Sequence, residues 1–96
     1  MKISKLLSKE SKWCQGHNAL KEDNSFAPTS SAKAAKWCLL GAAYRCYGKN
    51  ISKYYSILEL IRKELGIISN WKIAKYNDHP RTTFKDIKYL VNKLDI

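Results

Sequence analysis

The stretch Ala35-Lys-Trp-Cys-Leu-Leu-Gly-Ala-Ala-Tyr-Arg-Cys-Tyr47 decides the fold, because it is apolar over most of its length. Read as a helix, it carries two apolar stripes on adjacent faces. The first stripe comprises Ala35, Cys38, Leu39, Ala42 and Cys46, and the second comprises Trp37, Leu40, Tyr44 and Tyr47. A helix that is apolar most of the way round is packed by neighbours on several sides. We therefore predict a central helix that ends before Gly48.

Gly41 lies in the middle of this predicted helix, where glycine costs about 1 kcal/mol relative to alanine. Glycine is expected at such a position when a neighbouring backbone, a large ring or a ligand comes close. We expect Gly41 to be a contact point where the turn near Trp13 or the turn near Asn77 packs against the central helix.

Four further helices are predicted around the central one, from apolar periodicity and capping signals. They cover residues 2–13, 50–65, 71–76 and 84–93. Gly16 and Gly66 are expected to end the first and third helices, because glycine readily adopts the left-handed conformation that follows a helix. A residue before proline is disfavoured in a helix, so the fourth helix must end by 77–79, ahead of Pro80.

Two helix starts are predicted from side-chain caps. Thr29-Ser30-Ser31 is expected to cap the central helix, and Thr83 with Asp86 resembles a capping box at the last helix. Residues 17–29 have no periodicity and are predicted to form a loop. The sequence thus predicts an all-α fold, a compact single domain over residues 1–96 with about five helices around a central apolar helix.

Composition excludes several classes of protein. The chain is 45% hydrophobic and 11% aromatic, which is typical of a folded domain and too apolar for a disordered one. No apolar run is long enough to span a membrane. Lysines interrupt the first ten residues too often for a signal peptide. We therefore expect a cytoplasmic protein with no membrane contact.

The three cysteines, Cys14, Cys38 and Cys46, are expected to be reduced and buried. An odd number excludes a full disulfide framework. On one helix, Cys38 and Cys46 would lie about 12 Å apart, beyond the reach of a disulfide. Cys14 and His17 have a spacing found in zinc sites, but the second pair of ligands is missing. We predict no metal site and no cofactor.

Nucleophilic catalysis would pair Cys14 with His17, or with His79 oriented by Asp78. A reactive cysteine needs an exposed, electropositive setting, which the abundant lysines would provide. The sequence shows no strained nucleophile turn and no second carboxylate pair for acid–base catalysis. We therefore assign no catalytic residues and favour a protein that is not an enzyme.

Three motifs follow one another along the chain. They are Trp13-Cys14-Gln15-Gly16, Ala35-Lys36-Trp37-Cys38-Leu39-Leu40-Gly41-Ala42, and Tyr76-Asn77-Asp78-His79-Pro80-Arg81-Thr82-Thr83. Their order and spacing resemble a family of small bacterial and phage proteins that is known only as a domain of unknown function. Its pattern looks like W-x-x-G, W-C-x-x-G-A and W-N-D before a Thr-capped last helix, so Tyr76 departs from the usual tryptophan. The resemblance covers residues 5–47 and 73–94 and implies a shared fold, but no reaction.

The chain has a formal net charge of +10, from 18 lysine and arginine residues against eight aspartate and glutamate residues. Such a charge attracts anions at long range. Only three of the cations are arginines, the residue favoured for bidentate base recognition, so sequence-specific reading of nucleic acid is not indicated. The anion-binding candidates are Lys2, Lys5, Lys9 and Lys12, on one side of the first helix, together with Lys72 and Lys75; Lys36, Lys85 and Lys88 add to the basic surface. The alternative is a solvated face of a lysine-rich protein.

Two hypotheses for function follow, and we prefer the first. In it, the chain is a small binding module that engages an anionic partner, nucleic acid or an acidic protein, through its lysine-rich surface. Its size, its charge and the resemblance extend this hypothesis to an inhibitor of a host defence or nucleic-acid-handling system. A purely structural role, with a dimer interface on the third helix, is a further alternative.

The second hypothesis is a small-molecule or nucleotide-binding domain, with or without enzymatic activity, that has a pocket where the three motifs converge. Its ligand-binding candidates are Trp13, His17, Trp37, Gly41, Asn77, Asp78 and His79. This pocket requires that the motifs meet around an open cavity, and a sealed contact would exclude it. The structural alternative is a tight turn fixed by Pro80, with both Trp13 and Trp37 in the core.

Overall fold

Five α-helices enclose one apolar core in the computed structural model, which describes residues 1–96. The helices are α1 (Ile3–Leu6), α2 (Leu39–Tyr47), α3 (Ile51–Leu65), α4 (Trp71–Asp78) and α5 (Phe84–Leu94). Two short antiparallel strands, β1 (Ala19–Leu20) and β2 (Lys36–Trp37), form the only sheet. The predicted all-α class is confirmed, since the domain is mostly helical. No helix has both the length and the apolar character needed to cross a membrane.

Helix α2 lies at the centre, as the apolar pattern predicted. It packs against α1, α3 and α4. Leu39, Ala42 and Ala43 are fully buried in it. The core that surrounds these residues draws fully buried aliphatic side chains from every other helix, namely Ile3, Ile61, Ile73, Ile87 and Val91. The small alanines let the neighbouring helices approach α2 closely.

The predicted start of the central helix was wrong. Residues 36–37 form strand β2, in which Lys36 pairs with Leu20 and Trp37 with Ala19. This pairing satisfies the backbone in an extended conformation, and the helix begins only after Cys38. The N-cap is therefore Cys38, whose Sγ accepts a hydrogen bond from the Gly41 backbone N–H at 3.2 Å. The expected cap at 29–31 is not used.

The predicted first helix over 2–13 was also wrong in extent. Helix α1 ends at Leu6, and a single 3₁₀ turn, Glu10–Lys12, follows. Between them Lys9 is extended, with φ −152° and ψ 162°. The chain turns here because Trp13 must reach the sheet, where Cys14 N–H donates to the Trp37 carbonyl at 3.1 Å. The lysines of this segment therefore do not form one helical stripe.

The helices predicted from residue 50 onward agree better with the structure than those predicted before it. Asn50 caps α3 by accepting from Lys53 N–H at 3.2 Å, and Gly66 ends α3 with a φ of +69°. Thr83 and Asp86 form the expected capping box of α5. Two apolar residues of α3 face outward, since Ile51 and Tyr55 are each more than half exposed.

Candidate functional site

The three sequence motifs meet in space at Asn77, which lies near the end of α4 and is fully buried. Its Oδ1 atom accepts from Trp13 Nε1 at 2.7 Å and from the Leu39 backbone N–H at 2.9 Å. Its Nδ2 atom donates to the Cys14 carbonyl at 3.0 Å and to Asp78 Oδ1 at 2.9 Å. One amide therefore connects the first motif, the start of α2 and the end of α4. We call this contact the Asn77 junction.

A second layer of hydrogen bonds covers the junction on its outer side. Gln15 Nε2 donates to the carbonyls of Asn77 and His79, at 2.9 and 3.2 Å. Gly16 N–H donates to Asp78 Oδ1 at 2.8 Å. Gly16 has a φ of +84°, a conformation that glycine adopts without strain. The glutamine and the glycine of the first motif thus have structural partners in the third motif.

The expected close contact at Gly41 is confirmed, and its source is the backbone of Asn18. A Cβ atom added at Gly41 would lie 2.0 Å from the Asn18 carbonyl oxygen. The same carbonyl accepts from the Cys38 N–H at 3.2 Å. The chain just beyond the Trp13–His17 motif therefore presses directly onto α2, and only glycine leaves room for it.

The Asn77 junction is sealed rather than open. The molecule has four surface cavities, and none is lined by Trp13, Asn77 or Asp78. Gly41 and Trp37 each border a cavity, but not the same one. This geometry favours the structural alternative, a packed turn, over a pocket where the three motifs converge.

Both histidine candidates are at the surface, and neither ring points to a reactive partner. The ring of His79 accepts a hydrogen bond at Nδ1 from the Arg81 N–H at 3.0 Å, within its own turn. The Cys14 thiol donates a hydrogen bond to the backbone carbonyl of His17 at 3.4 Å, and not to the His17 ring. No group of three or more His, Cys, Asp or Glu side chains is placed to hold a metal ion.

The Cys14 thiol is held in its protonated form. Burial, with smaller contributions from the nearby Cys38 and Asp78, raises the pKa of Cys14 to about 12 against the opposing effect of Lys36. Burial also raises the pKa of Cys38. Because the thiolate is the nucleophile, these environments disfavour cysteine chemistry at neutral pH.

Three lysines from two separate segments border one surface cavity of about 420 Å³. They are Lys9 and Lys12, beside and within the 3₁₀ turn, and Lys36 of β2. We call this cavity the lysine cleft. Glu22 also borders it, but none of the three lysines forms a salt bridge. Lys36 donates to Asn24 Oδ1.

The other lysine candidates lie outside this cleft. Lys2 pairs with Asp95 at 2.5 Å, and Lys5 is exposed on α1. Lys72 and Lys75 lie on α4, with their ammonium groups 6.0 and 4.9 Å from the centre of the Trp71 ring. Sequence reasoning missed Trp71 as a surface residue. The signal that marks it is its spacing from Lys75, since residues four apart are neighbours on a helix.

A family model described as a family of unknown function (DUF6197) matches residues 2–93, and the chain belongs to that family. The resemblance to a domain family of unknown function is thereby confirmed. The match also spans residues 49–70, where the sequence showed no resemblance. Neither the curated proteins nor the solved structures gave a match.

Proposed function

We propose that this member of a family of unknown function is a non-enzymatic binding module that holds nucleic acid through the lysine cleft. The observation that carries the proposal is the convergence of Lys9, Lys12 and Lys36 on one cavity without a salt-bridge partner. Three ammonium groups around one concave surface concentrate positive potential there. Phosphate groups are the anions that lysine neutralises as a point charge.

The charge balance of the whole surface supports the proposal. Of the 18 lysine and arginine residues, only Lys2, Lys63 and Lys93 form salt bridges with acidic side chains. The positive field is therefore largely uncompensated. A polyanion that approached the cleft would release counterions, which is the main driving force of non-specific nucleic-acid binding.

The proposal places the protein in the cytoplasm, where it would meet nucleic acid. An inhibitor of a host defence or nucleic-acid-handling system would use the same surface, by covering the nucleic acid that such a system acts on. An acidic protein is the other partner that the charge allows, and the experiment below includes it.

The test is a salt titration of binding, followed by fluorescence anisotropy of labelled single-stranded and duplex DNA and RNA. A variant with Lys9→Gln, Lys12→Gln and Lys36→Gln is compared with a control that carries Lys53→Gln, Lys63→Gln and Lys85→Gln. Both variants lose the same net charge. We expect the cleft variant to bind at least about tenfold more weakly, with a salt slope shallower by about two to three, because each phosphate contact contributes about 0.7 to 0.9 to that slope.

Either of two results would reject nucleic acid as the partner. One is the absence of binding to any of the nucleic acids at low salt, which would leave the lysines as solvating residues. The other is tighter binding to polyglutamate than to nucleic acid, which would assign an acidic protein as the partner. Equal losses in the two triple variants would reject the cleft as the binding surface.

A further inference from the structure

Trp71 is the most exposed tryptophan of the chain. Its side chain is 58% exposed, whereas Trp37 is 5% exposed and Trp13 is partly buried. An exposed indole ring offers a large flat apolar surface on which a ligand ring can stack. Ile68, three residues earlier, is 90% exposed and adds apolar surface to the same end of α4.

The ring is surrounded by positive charge. The Lys75 ammonium lies 4.9 Å from its centre and the Lys72 ammonium 6.0 Å. Neither lysine forms a salt bridge, so no acidic side chain neutralises either charge. A purely apolar partner would have to desolvate these two ammonium groups without compensation. The complementary partner therefore combines a flat apolar ring with a negative charge.

Helix α4 holds this group of side chains rigidly. Ile73 and Asn77, on the buried face of α4, are fully inaccessible to solvent. The Asn77 junction fixes that face to α2 and to the first motif. Trp71 thus stands on a fixed support, and a ligand that stacks on it does not have to order the helix first.

We infer that Trp71 is a stacking platform for an unpaired nucleobase and that Lys72 and Lys75 neutralise the phosphates beside that base. Bases within a duplex stack on one another and offer no free face to a protein ring. The nucleic acid bound is therefore single-stranded. This inference rests on the proposed function, and it adds the class of nucleic acid and a second contact outside the lysine cleft.

The experiment compares wild type, Trp71→Ala and Tyr89→Ala. Tyr89 is an exposed aromatic residue of α5, at 68% exposure, and serves as the matched control. Binding to a single-stranded oligonucleotide and to a duplex of the same length is measured at one salt concentration. We expect Trp71→Ala to weaken single-strand binding about tenfold and to leave duplex binding within about twofold, because stacking on one aromatic residue contributes about that factor.

Intrinsic tryptophan fluorescence gives an independent readout. A base that stacks on Trp71 is expected to quench its emission on addition of the single strand, and Trp71→Phe is expected to keep most of the affinity. Circular dichroism checks that the variants remain folded. We expect them to fold, because Trp71 is largely exposed.

Different results would reject stacking on Trp71 and the proposed function. If wild type binds nucleic acid but Trp71→Ala binds both forms like wild type, without quenching, stacking is rejected and the proposed function remains. Equal loss for single strand and duplex likewise rejects stacking. If wild type binds no nucleic acid at low salt, both the inference and the proposed function are wrong.

Discussion

Asn77 uses its whole hydrogen-bonding capacity. A side-chain amide offers two donors and an oxygen with two lone pairs, and the four bonds at the Asn77 junction occupy all of them. Aspartate would lack the two donors, and leucine would lack both donors and acceptors. The residue is therefore specified by its buried partners, which explains a polar side chain in an apolar core without any need for a ligand.

Replacing Asn77 is expected to destabilise the fold strongly. Asn77→Ala leaves the Trp13 indole N–H, the Leu39 N–H and the Cys14 carbonyl without their buried partner. Each unsatisfied buried group costs about 1–3 kcal/mol, so we expect a loss of about 3 kcal/mol or more in the free energy of unfolding. Urea denaturation measures it, with Asn92→Ala at an exposed position of α5 as control. A loss no larger than that of the control would contradict the structural role of the junction.

Gly41 provides a second test at the residue scale. Helix propensity alone predicts that Gly41→Ala stabilises α2 by about 1 kcal/mol. The Asn18 carbonyl occupies the space that the new methyl group needs, so we expect destabilisation by about 1–3 kcal/mol instead. Ser52→Ala, at an exposed position of α3, is the control for propensity. A stabilised Gly41→Ala variant would show that the chain at Asn18 moves aside at little cost.

The raised pKa of the Cys14 thiol predicts how the stability of the fold depends on pH. Its pKa is raised from about 9 to about 12, chiefly by burial. Above pH 9 the unfolded chain releases this proton while the folded chain retains it, so the free energy of unfolding falls between about pH 9 and pH 12. Equilibrium unfolding at pH 8 and pH 10.5 measures the change, and Cys14→Ala is expected to reduce it. An unchanged difference in the variant would assign the pH dependence to other groups.

At the scale of the secondary-structure elements, α5 depends on a local cap. Thr83 Oγ1 accepts from Asp86 N–H at 3.3 Å, and Asp86 Oδ2 accepts from Thr83 N–H at 2.9 Å. Thr83→Ala is expected to lower the free energy of unfolding by about 1 kcal/mol. The neighbouring Thr82→Ala is the control, and thermal unfolding is the measurement. Equal effects of the two substitutions would argue against the cap.

The same distinction between local and long-range signals explains what could be predicted from sequence. The C-terminal end of α3 and the cap of α5 depend on residues within four positions of one another, such as Thr83 with Asp86, and they were predicted correctly. Strand β2 depends on pairing with Ala19 and Leu20, far away in the sequence, and this pairing overrides the helical periodicity of Lys36 and Trp37. The non-local contact of Cys14 with Trp37 likewise accompanies the end of α1 at Leu6, well before the predicted residue 13.

The candidate sites follow the same rule. The sequence grouped Lys9 with Lys12 but could not place Lys36 beside them, because the bridge between Trp13 and Trp37 is what brings β2 to the 3₁₀ turn. The second hypothesis required the Trp13 and Asn77 motifs to meet, and whether they then enclose a cavity depends on packing. The exposure of Trp71 could not be predicted from the sequence either, because a tryptophan in an amphipathic helix more often lies in the core.

At the scale of the whole molecule, the two chain ends are fastened to each other. Ile96 is 2% exposed, and its carbonyl accepts from the Ser4 N–H at 3.3 Å. Ile96→Ala is expected to cost about 2–4 kcal/mol, as for other buried isoleucines. Ile68→Ala removes the same atoms from a 90% exposed position and should change stability little. Similar unfolding midpoints for the two variants would contradict the burial of the last residue.

The hydrogen bond from Ser4 to Ile96 and the ion pair of Lys2 with Asp95 hold residues 2–4 beside residues 95–96. With these residues side by side, the points at which the chain starts and stops can be changed without altering how the helices pack. A short linker would join residue 96 to residue 1, and new chain ends could then be placed between α3 and α4, near the exposed Ile68. Such a circular permutant would keep the lysine cleft and Trp71 within one rearranged chain.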